Sequence, residues 1–226
     1  MLQQHITVLD LSSVRQYVTD DHLERLRKCT RVRKVNLSNC NNTSSSAIHK
    51  LLLLCASNGT TLEAVHLANC HLSTETLGVL GQAHGLRTLD LTNTMIRPCA
   101  SMDTPHHLET MLGHSAQPLM LEVLNLSYCS WVDDETLQNI TNGLPHLRRL
   151  ELCWCHRVSD ATILYLVQNL TRLEMIGLRH LVTVGLQMAW TLLNANSNLT
   201  TIDFSNRFKS FRLIRNDSVV TMEDHL

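Results

Sequence analysis

The alternation of apolar and polar positions repeats itself along this chain at a constant step. LEVLNLSYC (121–129), LRRLELCWC (147–155) and LEMIGLRHL (173–181) carry apolar residues at the same four places, and Leu124, Leu150, Ile176 and Ile202 stand 26 residues apart. In the first of these blocks Leu121, Leu124 and Leu126 are expected to point inward, while Val123, Asn125 and Ser127 point outward with the period of two that a half-buried strand requires. Val132 and the run Asp133-Asp134-Glu135 follow, and then Leu137 and Ile140 at helical spacing. Each unit therefore predicts a strand, a turn and a helix.

Earlier units can be laid almost end to end. Their strands are centred on Leu9, Val35, Val65 and Leu89, and an eighth follows the three regular blocks at Ile202. Self-similarity at this period predicts an α/β leucine-rich repeat solenoid, a ribonuclease-inhibitor-like horseshoe of about eight strand–helix repeats in which no unit can bury its apolar side alone. With 41 leucines in 226 residues the chain has enough aliphatic bulk for such a ladder. We expect a single domain over 1–226, with repeats from about 6 to 207, an insertion at 95–118 and a C-terminal cap or tail at 208–226.

Polar residues punctuate the repeats. Thr19-Asp20-Asp21, Ser73-Thr74-Glu75, Asp133-Asp134-Glu135 and Ser159-Asp160 each join a capping side chain to an acid that suits the positive end of a helix dipole. The step from Leu89 to Leu124 is 35 residues, so extra chain lies between them. There, Thr104-Pro105 predicts a helix start running to about Gly113, and residues 95–103 read as a lengthened loop. In the tail, Arg207, Lys209, Arg212 and Arg215 alternate with apolar residues, which predicts solvated cations over a cap whose apolar side covers the last repeat.

Charge and cysteine content narrow the function classes. A formal net charge of -1 and a pI near 6.9 lack the basic footprint of a nucleic-acid binder, and the longest aliphatic run, Leu51 to Ala56, is too short to cross a bilayer. With no signal peptide before the first strand, the expected compartment is the cytoplasm, with the nucleus as the other candidate. Four of the eight cysteines, Cys40, Cys70, Cys129 and Cys155, share one repeat position just after the strand, which points to buried structural thiols in a reducing compartment. Cys99, His106, His107 and His114 have no recognised zinc spacing, so neither metal nor cofactor is expected. Acids at helix starts are accounted for by capping, no glycine-rich phosphate loop occurs, and no nucleophile is spaced with a base, so the chain is not expected to be an enzyme.

The pattern LxxLxLxxC, followed by an apolar residue, a cap, an acid and a helix, resembles the cysteine-containing subtype of leucine-rich repeats. That subtype is similar to the repeat arrays of F-box/leucine-rich-repeat proteins, the substrate receptors of SCF-type ubiquitin ligases. The resemblance implies a protein client and Skp1–cullin components reached through an N-terminal F-box, yet only five residues precede Ile6. The expectation is therefore a recognition region whose F-box is missing from this chain, with a stand-alone adaptor, GTPase regulator or inhibitor-type binding protein as the alternative.

A client is expected on the concave sheet face. One position per unit, directly before the repeat cysteine, reads Ser13, Asn39, Asn69, Asn93, Tyr128, Trp154, His180 and Asn206. Tyr128, Trp154 and His180 would lie side by side, with Arg149, Glu151 and Arg179 on neighbouring positions, and Trp, Tyr and Arg are the types most enriched in binding hot spots. These six residues form the predicted partner site.

Overall fold

The computed structural model describes residues 5–29, 31–57, 62–97, 119–181, 184–206, 209–216 and 219–225. They fall into two compact units, Met1–Leu121 and Glu122–Leu226. The helix predicted from Thr104 and the residues Cys99, His106, His107 and His114 lie outside the described residues.

In the first unit, β1 (Val8–Asp10), β2 (Lys34–Asn36) and β3 (Ala64–His66) are followed by β4 (His71–Ser73), β5 (Thr88–Asp90) and β6 (Met95–Arg97), with helices α1 (Asp20–Arg25), α2 (Ser45–Ser57) and α3 (Thr74–Gly81) between them. β1, β2, β3 and β5 pair in parallel, with Leu9 opposite Val35, Val35 opposite Val65 and Val65 opposite Leu89. β4 and β6 make a second parallel ladder that sets Leu72 opposite Ile96. Residues 95–97 are thus a strand rather than the start of a loop. Leu72 is fully buried, and the ladder gives the backbone just past each turn a partner in the neighbouring repeat.

The second unit holds β7 (Val123–Asn125), β8 (Arg149–Glu151), β9 (Met175–Leu178) and β10 (Thr201–Asn206), alternating with α4 (Asp134–Gly143), α5 (Asp160–Asn169) and α6 (Leu186–Ala195). Leu124, Leu150, Ile176 and Ile202 lie opposite one another in parallel register, and all four are fully buried. Burying such a side chain contributes about 1.5–3 kcal/mol, so this row is the spine of the unit. Ser127, expected to point outward, is instead buried, because the chain turns there and its N–H donates to Asn125 Oδ1 at 3.0 Å.

The predicted residues stand at the helix starts, with cap bonds at Asp133 and Ser159 but none from the Ser73 side chain, and the first-turn acids do more than face the dipole. Asp133 and Ser159 accept from the N–H of Thr136 and Thr162, at 3.0 and 3.3 Å. Asp134 Oδ1 also accepts from the backbone N–H of Ser159, and Asp20 Oδ1 from that of Ser44, both at 2.7 Å. Each acid therefore ties its helix start to the next repeat. Burial of the repeat cysteines has a similar use: the thiols of Cys70 and Cys155 donate to the carbonyls of Leu37 and Leu126 in the preceding repeat, at 3.1 and 3.2 Å. Burial pushes both thiols up to about 12. All seven cysteines among the described residues are buried and free of disulfides.

After β10 the sheet turns antiparallel. β11 (Lys209–Asn216) pairs with β10, and β12 (Val219–His225) with β11. Lys209 is exposed as expected and Arg207 lies outside the described residues, but the expectation of solvated cations fails for Arg212 and Arg215 for a physical reason. Asp203 on β10 is only 2% exposed, and Arg212 clamps it through two bonds of 2.6 and 2.8 Å. Arg215 donates to the carbonyls of Asn196 and Ser197 at 3.2 and 3.3 Å and also to that of Leu193, which satisfies the orphan C-terminal groups of α6.

Candidate functional site

The predicted site residues all belong to the second unit, and the strands are too short to carry them all. β8 holds Arg149 and Glu151, whereas Arg179 and the three rings lie past the strand ends, in the turns. Backbone geometry sets these turns apart. Asn39, Asn69, Asn93, Tyr128, Trp154 and His180 all have φ between 52° and 65°, in the left-handed region. The sharp turn brings the N–H of the ring residue onto the neighbouring repeat in two of these turns: Tyr128 N–H donates to Cys153 O at 2.8 Å and Trp154 N–H to Arg179 O at 3.0 Å.

Asparagine suits this turn, because it tolerates a left-handed backbone better than other side chains. In the first unit it also forms an amide ladder, with Asn69 Nδ2 donating to Asn39 Oδ1 and Asn93 Nδ2 to Asn69 Oδ1, at 2.8 and 2.7 Å. The second unit replaces that ladder with a ring stack. Tyr128 and Trp154 lie 5.7 Å apart between centroids with planes 17° apart, and Trp154 and His180 lie 4.3 Å and 23° apart. His156 meets Trp154 edge to face at 5.6 Å. Tyr128 remains 52% exposed and Trp154 39% exposed, and neither their polar heads nor that of His180 is hydrogen-bonded among the described residues.

Beside the stack lies a charged cluster that strand geometry explains. Reading one position after the buried centre of each strand gives Asn125, Glu151, Gly177 and Asp203. Glu151 leans over the glycine: a Cβ built on Gly177 would fall 1.7 Å from Glu151 Oε2. Burial, then the nearby Asp203 carboxylate, raise the Glu151 pKa above the usual carboxylate range, against the pull of Arg179 and Arg149. The Cys153 thiol donates to Glu151 Oε2 at 3.8 Å, and burial raises its pKa against the pull of Arg179. Arg149 is exposed.

Sequence reasoning named the rings and the flanking charges but missed Gly177, His156 and the Asp203–Arg212 clamp. Reading the Glu151 position down the repeats exposes glycine as the exception, and that signal was available. The clamp was not legible, since nothing in the sequence says that β11 turns back on β10. No cluster of three or more metal-ligating side chains occurs among the described residues. No helix is long and apolar enough to cross a membrane among them.

No profile of a known protein family matches the chain. Among solved structures it is similar to Rad7 in its complex with Elc1 from yeast, at 14% identity and a TM-score of 0.38, over 90% of this chain and 72% of that one. It is also similar to the leucine-rich repeat-containing protein LegL7 from Legionella pneumophila, at 16% identity and 0.40, over 88% and 73%. The internalin InlF from Listeria monocytogenes follows at 15% identity and 0.47, over 87% of this chain and 62% of that one. What makes this chain a leucine-rich repeat protein in fold is its own geometry, the parallel register of Leu124, Leu150, Ile176 and Ile202 with the buried Cys155 thiol bonded back to Leu126 in the preceding repeat.

Proposed function

We propose that the chain is a protein-recognition scaffold and that the ring stack of the second unit, with Arg149, Glu151 and Arg179, is where a client docks. One observation carries this. Three bulky ring residues occupy left-handed turns that asparagine fills in the first unit, so the turn itself has no need of rings. Holding a side chain other than glycine or asparagine there costs about 1–2 kcal/mol, and strain of this kind persists where function uses it.

The finer reading is the substrate-binding repeat region of an SCF-type ubiquitin ligase receptor. It rests on the resemblance of the repeat motif to F-box/leucine-rich-repeat proteins. In that reading 1–226 is one horseshoe domain of about eight repeats, acting in the cytoplasm without chemistry of its own. Its work is positional: it holds a client near a ubiquitin-loaded enzyme and so raises the effective concentration. The test is capture of a client before and after Trp154→Ala combined with Tyr128→Ala. Affinity should fall by more than about 2 kcal/mol. Full affinity in a double variant with unchanged circular dichroism would remove the site.

A further inference from the structure

The way the rings stack decides which chemistry can meet them. Trp154 lies between Tyr128 and His180 at 5.7 and 4.3 Å, with planes within 23° of parallel. Both of its faces are therefore taken. A partner approaching Trp154 meets its ring edge, which carries the positive side of the aromatic quadrupole. The polar heads available are also donors: the Tyr128 O–H, the Trp154 N–H and the imidazole N–H of His180. Two guanidinium groups act on Glu151 in the neighbouring cluster, Arg149 exposed and Arg179 half-buried. Neither makes a close ion pair among the described residues, whereas Arg148 pairs with Glu174 at 2.6 Å, Arg157 with Asp133 at 3.5 Å and Arg212 with Asp203 at 2.6 Å.

Building on the ring-stack docking site, we infer that its partner is an extended acidic peptide segment, whose carboxylates lie between Arg149 and Arg179 and whose backbone carbonyls accept from the ring edges. A cationic peptide is disfavoured, because the neighbouring arginines repel it and both faces of Trp154, the best cation–π platform of the three, are covered. Single-stranded nucleic acid cannot stack a base on Trp154, whose two faces are covered by Tyr128 and His180. In addition, the carboxylates of Glu151 and Glu223, on the same rows as Asp203 and Arg212, interrupt any continuous track for phosphates. Spaced carboxylates of a peptide can settle on two separated cations, whereas a phosphodiester chain cannot avoid the acids.

The experiment is selection of a random twelve-residue phage-displayed peptide library on the intact chain, with counter-selection on folded Trp154→Asn protein. Enriched peptides are then measured by fluorescence polarisation beside a labelled twelve-nucleotide oligouridylate. The expected result is enrichment of Asp and Glu, with affinity falling about tenfold in Arg149→Ala and in Arg179→Ala and falling again as salt rises. Peptides that depend on Trp154 but are basic or uncharged would overturn the acidic assignment and leave the docking site in place. No peptide dependent on Trp154 would overturn both. Oligouridylate binding more tightly than every selected peptide would overturn the peptide assignment in favour of nucleic acid.

Discussion

Replacing Trp154 by asparagine, glycine and alanine in turn separates what the ring contributes from what the turn costs. All three substitutions remove the same contacts, the stacks on Tyr128 and His180 and the edge contact with His156. At about 0.5–1.5 kcal/mol for each stacked pair, the loss common to all three is about 1–3 kcal/mol. They differ in the backbone. Trp154 sits at φ 65°, where a residue with a Cβ is penalised by about 1–2 kcal/mol, asparagine is favoured and glycine is free. Alanine keeps the penalty while losing the rings. Glycine sheds it but gives back about 0.5–1 kcal/mol through the greater freedom of its unfolded chain. The expected order of stability is asparagine, then glycine, then alanine, with asparagine above alanine by about 1 kcal/mol. Urea unfolding followed by far-ultraviolet circular dichroism reads this order directly, because all three variants lose the same indole. Alanine as stable as asparagine would refute the account of the turn and, with it, the claim that the rings are held against a backbone cost.

Three further outcomes test the surrounding cluster. Gly177→Ala should destabilise by about 1 kcal/mol, because its Cβ would occupy the Glu151 carboxylate position, and the cost should vanish in a Glu151→Ala background; an equal cost in both backgrounds in urea unfolding would show that Glu151 is not the obstacle. Arg212→Ala should cost about 3 kcal/mol, since it removes both charge-assisted bonds to a carboxylate that is 2% exposed, and Arg212→Ala combined with Asp203→Asn should recover part of that loss in thermal unfolding. Glu151→Gln should be more stable than the parent at pH 7. The folded carboxyl is raised above its unfolded value, so its unfavourable contribution is present above that range and fades as pH falls through it. Urea midpoints at pH 7 and pH 4 should therefore converge at the lower pH, and a constant gap would mean that ionisation is not the cause.

The repeat architecture was legible because its causes are local and periodic. Apolar residues at a step of 26 bring Leu124, Leu150, Ile176 and Ile202 into one row, and capping residues such as Asp133 and Ser159 mark helix starts wherever they fall. The alignment of Tyr128, Trp154 and His180 follows from the same step, since one repeat position occupies one line across the sheet. Tertiary structure alone decided the rest. That both faces of Trp154 are covered depends on left-handed turns that only the asparagines of the first unit hint at. The burial of Glu151 over Gly177, and the transfer of Arg212 and Arg215 from expected solvent to Asp203 and the end of α6, depend on which strand lies beside which. A hydrophobic period records which side of each element is buried, but a charged side chain takes its role from the neighbour it meets, and that neighbour is set by the return of β11 along β10.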